Sequence, residues 1–262
     1  MESDEETLRL EMKTDRERVK TQAQWCGIGP GQRVLDLGCG TGKTTSIIHE
    51  LVQPGGSVVG VDGSRERIAY AEKQYGAHEG IEFHSCDLTG LLEDLGEFDV
   101  IWMRFVLEYF RHESAGIVRN LKQCLKPGGV LCLLDLDHNC LNHYELSPRL
   151  EDILGKIIGT LERKYNFDPY AGRKLYSYLY DEGFEEIEAH IMAHHLIYGE
   201  VREEDAFNWV KKIEMVARAA GALFDTYPGG FEGFTGDFEE FFYDPRRFTY
   251  SCLILCKGRM PK

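Results

Sequence analysis

VLDLGCGTGKTT, residues 34–45, decides how the rest of the chain is read. Val34, Leu35 and Leu37 form a short apolar run of the kind buried in a parallel sheet. Gly38, Gly40 and Gly42 follow at alternate positions, and a helical pattern starts near Thr41. Glycines at this spacing let the backbone turn sharply and approach a ligand without side chains in the way, while the helix N-terminus aims unpaired N–H groups at it. Strand, glycine turn and helix predict a ligand-binding crevice in an α/β protein.

Spacing separates the families that use such a turn. The dinucleotide fingerprint wants its third glycine at position 43, which is Lys43. A phosphate-binding P-loop would find Gly42, Lys43 and Thr44 in place but needs a glycine at position 37, which is Leu37. That loop is one residue short of wrapping its ring of amides around a triphosphate. What remains is D-x-G-x-G-x-G, and Asp36, Gly38, Gly40 and Gly42 match it one by one. In this the sequence resembles the class I S-adenosylmethionine-dependent methyltransferases, closely over 33–137 and in outline beyond.

Later motifs fall in that family's order. Strand 57–62 ends in Asp62, about twenty residues past the glycine turn, where a carboxylate can accept both hydroxyls of a ribose. The same acid could cap the helix that starts near Ser64. Strand 81–85 leads to Asp87, which fits an adenine contact by position and an N-cap equally well by residue type. FDVIWMRFVLEYF, 98–110, reads as a fourth strand through Trp102 that leaves the sheet from Met103 onward, with an ending like the V-L-E-H of small-molecule methyltransferases. The N/D-P-P-Y tetrapeptide of enzymes that methylate amino groups on nucleobases or glutamine is absent there; the look-alike 166–170, NFDPY, lies far past strand four and reads as a turn. LKPGG at 125–129 followed by an apolar strand at 130–136 completes the order.

The resemblance implies a doubly wound, mostly parallel, seven-stranded Rossmann-like α/β sheet with an antiparallel last strand, at 249–256. It implies S-adenosyl-L-methionine as cofactor, with S-adenosyl-L-homocysteine as product. Gly38, Cys39 and Gly40 would support its methionine portion and Asp36 would orient it. Asp62, with Gly63 and Ser64 beside it, would hold the ribose; Cys86, Asp87 and Leu88 would meet the adenine; Met103 and Arg104 would lie near the methionine end. Rival readings are an NAD(P)-dependent oxidoreductase, which shares the turn and Asp62 but not the later motifs, and a binding protein that keeps the pocket without transferring methyl groups.

Composition narrows the acceptor. A formal charge of −14 over 262 residues argues against nucleic acid, whose binding rests on Lys and Arg, and favours a small molecule. The charged N-terminus lacks a signal-peptide pattern and no apolar run approaches membrane-spanning length, so a soluble cytoplasmic protein is expected. The eight cysteines lack the paired spacing of a zinc site and read as reduced core residues. Oligomeric state is not legible. Asp135, Asp137 and Asn139 resemble the oxygen ligands of magnesium-dependent catechol methyltransferases, but those enzymes place a further acid where this chain has Met103 and Arg104, so no metal is expected.

A single methyltransferase domain is expected: a helical extension over 1–30 that folds over the cofactor or packs on the sheet edge, a cofactor-binding core over 31–137, a cap insertion over 138–170, and the rest of the sheet over 171–262. A helix is expected over 203–223. The stretch 224–248 interleaves Phe231, Phe234, Phe238, Phe241, Phe242 and Tyr243 with four glycines, and reads as a loop, either a lid or an irregular segment pinned by its rings. His190, His194 and His195 fall on the sixth strand, where alternation sends the adjacent pair to opposite faces. Should methyl transfer need a base, Tyr109, His138 and His195 are the candidates.

Overall fold

The computed structural model describes residues 11, 14–203, 205, 206, 209, 213 and 221–262, and of residues 93, 139–141 and 222 the backbone alone. Strands β1 (Arg33–Leu37), β2 (Ser57–Asp62), β3 (Ile81–Ser85), β4 (Phe98–Arg104), β5 (Leu125–His143), β6 (Glu185–Tyr198) and β7 (Phe248–Arg259) form one sheet in the order 3-2-1-4-5-7-6. The first five are parallel, and β7 runs antiparallel between β5 and β6. This is the doubly wound Rossmann-like sheet expected from the sequence.

Strand alternation gives the sheet two apolar faces. On one, Leu35, Leu37, Ile101, Met103, Leu131 and Leu133 pack with α4 (Ser114–Leu121) and α6 (Leu175–Asp181). On the other, Val34, Val100, Trp102, Cys132 and Leu134 pack with α1 (Arg16–Trp25) and α2 (Lys43–Val52). Helix α2 begins at Lys43, two residues beyond the sequence reading, because its cap Gly42 is left-handed at φ 82°. Helix α3 (Arg65–Tyr75) is capped by Ser64, whose hydroxyl accepts from the Arg67 amide at 3.2 Å. Among the described residues no helix is long and apolar enough to cross a membrane.

Three local expectations are corrected. Strand β4 does not end at Trp102: Met103 and Arg104 remain paired with Leu133 and Leu134, and the exit begins at Phe105, itself left-handed at φ 59°. The fully buried Met103 gains more by staying in the core than the exit loop would gain from it. Asp87 caps no helix, since Leu88–Gly90 form a turn and its Oδ1 accepts from the amide and hydroxyl of Thr89 at 2.9 and 2.7 Å. The rings of His194 and His195 do not part to opposite faces: a β-bulge between Ala193 and His195 breaks the alternation, and the two rings meet at 4.3 Å.

The aromatic stretch is largely not a loop. Residues Gly230–Tyr243 form helix α7, with Phe234, Phe238 and Phe242 recurring every four residues on its buried side. They close a third core with Leu150, Ile153 and Ile157 of α5 (Pro148–Lys164) and with Ile197, Trp209, Phe224 and Tyr227. The glycines serve contact here. Gly229, left-handed at φ 77°, starts the helix, and a Cβ on Gly233 would lie 2.0 Å from the Pro228 carbonyl oxygen. The expected helix 203–223 falls mostly outside the described residues, as does the start of the N-terminal extension.

Candidate functional site

The turn after β1 lies where strand order reverses, between β1 and β4, which is where open α/β sheets bind ligands. Its three glycines have three separate causes. At Gly38 (φ 78°) a Cβ would lie 2.3 Å from Val106 Cγ2 in the β4 exit loop. At Gly42 it would lie 2.8 Å from Ala71 and 2.9 Å from the Phe83 ring. At Gly40 (φ 56°) it would meet nothing within 4 Å among the described residues, which leave open space above the turn there.

Asp62 ties that turn to the end of β2. Its Oδ2 accepts from the Gly40 amide and its Oδ1 from the Ser64 amide, each at 2.9 Å. Each carboxylate oxygen keeps acceptor capacity beyond that one bond. Gly63 is also open, a Cβ there finding only the Cys86 carbonyl at 3.8 Å. An open cradle beside a fixed carboxylate fits a ribose-bearing ligand, with Cys86, Asp87 and Leu88 on the neighbouring strand end.

Below the turn, Asp36 is buried and accepts from the Thr45 hydroxyl at 2.7 Å. Burial pushes its carboxyl up to about 7, against the opposing pull of Thr45 and Arg104. The Arg104 guanidinium is pushed down to about 10 by burial; its Nε donates to Gln22 Oε1 of α1 at 3.0 Å and its plane stacks 4.1 Å over Phe105. Met103 and Arg104 therefore put their side chains on opposite faces, Met103 into the core. The Cys39 thiol is buried and pushed well up by burial and by the carboxylates of Asp36 and Asp62, which keeps it protonated.

The extension does not keep to the sheet edge. Helix α1 packs on the sheet face. Glu11, ahead of it, lies over the glycine turn: its carboxylate accepts from Thr41 Oγ1 at 2.8 Å and from the Tyr75 hydroxyl, and its carbonyl accepts from Lys43.

On the acceptor side, the β4 exit makes one turn, Leu107–Tyr109, against the end of β5. Asp135 is buried there, accepting from the amides of Leu136 (2.9 Å) and Glu108 (3.2 Å), and burial beside the Glu108 carboxylate pushes its pKa well up. The NFDPY segment is a turn, as expected, and docks onto this exit. Asp168 donates its amide to the Glu108 carbonyl at 2.7 Å and pairs with Lys174, and Phe167 meets the Tyr109 ring edge-on at 5.9 Å. Sequence reading missed this arrangement of buried Glu108 and Asp168 with half-exposed Lys174. The available signal was an acid, Glu108, set inside an apolar run. Asp137 is held bidentately by Arg173 at 2.7 and 3.0 Å while Asp135 faces backbone amides, so the two do not present oxygens to one ion.

The base candidates separate. Tyr109 is exposed at the rim. His138 opens the break in the β5–β7 pairing between Asp137 and Asn142, packs edge-on against Tyr170 at 5.3 Å, and has a buried Nδ1 that finds no partner among the described residues; burial lowers its pKa. His195 lies on edge strand β6, four places from β1, with Nδ1 2.9 Å from Ser251 Oγ and its ring against Trp209. The structure does not bring it to the glycine turn.

Fold and site together define a Rossmann-like domain with an open cradle at the β1 turn. Residues 34–129 match the family model of a methyltransferase domain. The demethylmenaquinone methyltransferase of Lactococcus lactis is 30% identical over 157 residues, 57% of this chain and 62% of that relative, so the chain spans less than two thirds of its length. Among solved structures, a candidate methyltransferase of Bacillus halodurans C-125 superposes with TM-score 0.60 at 18% identity, over 94% of this chain and all of that one. Phosphoethanolamine N-methyltransferase 2 of Haemonchus contortus, in complex with S-adenosyl-L-methionine, gives 0.57 at 18%, over 94% of this chain and 53% of that one. Likeness at such identities speaks for the fold. The family match adds that residues 34–129, which hold the glycine turn, Asp62 and Asp87, are similar to a methyltransferase domain.

Proposed function

We propose that this protein transfers the methyl group of S-adenosyl-L-methionine to a small molecule, in the cytoplasm, as one methyltransferase domain whose 138–170 insertion and C-terminal helix α7 form the cap. The observation that carries the reading is Asp62, fixed between the Gly40 and Ser64 amides beside open space above the turn. The donor supplies a methyl carbon already activated by a positively charged sulfur, so orientation and exclusion of water are the work left to the protein.

In this reading the Asp62 carboxylate accepts the ribose hydroxyls, and Asp87, with Cys86 and Leu88 beside it, faces the adenine. The Gly38–Gly40 backbone supports the methionine portion, while Asp36 and Arg104 set the charge beneath it. Met103 contributes backbone at the strand end, its side chain being core. Glu11 closes the turn from above and keeps water out. A small acceptor is supported by the acidic net charge and by relatives whose names specify menaquinone precursors and phosphoethanolamine.

His138 is the base this reading assigns where the acceptor carries an acidic proton. A pKa below that of free histidine leaves its imidazole neutral at pH 7, with Nδ1 able to take a proton. Tyr109 lines the rim.

Calorimetric titration of the purified protein with S-adenosylmethionine and S-adenosylhomocysteine tests the proposal, with NAD and ATP as competitors. Saturable binding of the pair is expected, weakened roughly 10- to 100-fold by Asp62→Ala through loss of charge-assisted hydrogen bonds. Binding of NAD or ATP with neither of the pair would overturn it.

A further inference from the structure

Edge strands of sheets are normally short, charged or covered, because their free backbone and apolar residues invite pairing. Strand β6 breaks that rule. It is fourteen residues long and forms the sheet edge beyond β7. Its residues Ile187, Ala189, Ile191, Ala193, Leu196 and Tyr198 share one face, register with β7 keeping the row in line across the bulge. On β7 the same face carries Phe248, Tyr250, Cys252 and Ile254.

The opposite face of these strand ends is covered: Ile197 enters the third core, and His195 and Thr249 meet Trp209 and His143. Ile187 and Ile254 pack against the first core, and beyond them the apolar face is open. Ile191 is 63% exposed, Leu196 52%, Tyr198 65%, Phe248 43% and Tyr250 39%. Tyr198 stacks on Phe248 at 6.2 Å and Phe248 meets Tyr250 at 5.9 Å, so the rings form one patch. A contiguous apolar surface of this kind marks an interaction site.

We propose that this open face of β6 and β7 is the interface of a two-fold homodimer, two sheets packing face to face. Size supports the assignment. At roughly 200 Å² per large side chain the five exposed residues offer ~500 Å² per copy, or about 1,000 Å² in all, the threshold for a specific interface. Shape supports it as well: the bulky Leu196, Tyr198, Phe248 and Tyr250 gather at one end and Ala189 and Ala193 toward the other. A two-fold axis lays the ring-bearing end of one copy over the alanine end of its partner, as an isologous contact requires. No uncompensated charge is buried, since the neighbouring Asp137 is neutralised by Arg173. A lipid surface fits less well, because a chain of net charge −14 is repelled by anionic headgroups.

Sedimentation velocity on the full chain from ~1 to ~100 µM decides the question. A dimer is expected, and the double variant Leu196→Glu/Tyr198→Glu is expected to weaken it at least ~100-fold, as loss of two large apolar contacts would. The double variant should keep its circular dichroism spectrum and its affinity for S-adenosylhomocysteine; Tyr198→Ser, a milder change, should shift the equilibrium in the same direction. Control substitution Tyr180→Glu on α6 should leave it unmoved. A chain that stays monomeric throughout overturns the proposal, as does a dimer indifferent to both variants. So does a monomer that cosediments with phosphatidylcholine vesicles, which would assign the face to lipid.

Discussion

The half of the molecule that the proposed function assigns to the donor, β1 to β4 with its turns, and the half it assigns to the cap, α5, α7 and the ends of β6 and β7, are built from different materials. The donor half works through backbone: amides of Gly40 and Ser64 on Asp62, amides of Gly38 and Cys39 on the Val61 carbonyl, and a turn whose glycines are dictated by Val106, Ala71 and Phe83. The cap half works through volume, with Phe234, Phe238 and Phe242 filling the space between two helices. Backbone chemistry admits few residue types at a position, whereas volume admits any apolar set that fills the space. The cofactor is therefore written in the sequence while the acceptor is not.

That contrast can be broken experimentally. The largest effect is expected from Phe234→Ala, which should cost about 3–5 kcal/mol of stability by opening a cavity in the cap core. Below the melting transition its S-adenosylhomocysteine affinity should stay within about threefold of the parent, a ratio worth under ~1 kcal/mol. Loss of donor affinity in this variant, still folded, would show the two halves to be one energetic unit at the site.

A second pair sharpens the contrast within three residues. Gly38→Ala forces a Cβ to 2.3 Å from Val106 at positive φ and should cost about 3 kcal/mol along with donor binding. Gly40→Ala meets no protein atom within 4 Å, so it should cost only about 1 kcal/mol of stability while weakening donor binding roughly 10-fold. Thermal melts and calorimetry on both separate packing from ligand space.

The smallest effect concerns pH. The Asp36 carboxyl, raised from its ordinary 3.8 to about 7, keeps its proton in the folded chain over a range where the unfolded chain has lost it. The folded state thus binds more protons between about pH 4 and 7, and stability falls as pH rises through that window. Asp36→Asn removes this slope. Its melting temperature should exceed the parent's by roughly 2–4 °C at pH 8, the equivalent of ~1 kcal/mol in a chain of this size, with a smaller difference at pH 5.

What was legible in the sequence follows the same division. Strand order and the turn could be read because Asp36, Gly38, Gly40 and Asp62 stand at spacings that local geometry enforces. The aromatic stretch was misread because glycine count suggests flexibility, whereas Gly233 is there to let the chain pass the Pro228 carbonyl. The bulge that brings His194 and His195 together leaves no mark on residue type. The contact of Asp168 with Glu108 joins positions sixty residues apart, and nothing local announces it.

Strand β5 runs nineteen residues, pairing with β4 up to Leu134 and with β7 from Val130 to Asp137 and again at Asn142 and His143. A single unbroken backbone thus passes from beneath the donor turn into the cap, with β7 running the other way beside it. Two lobes on a flexible tether would melt in two steps. Here the ladder of hydrogen bonds is shared, so heat should undo both halves in one cooperative transition, and a lesion in either is felt as a shift of the same curve.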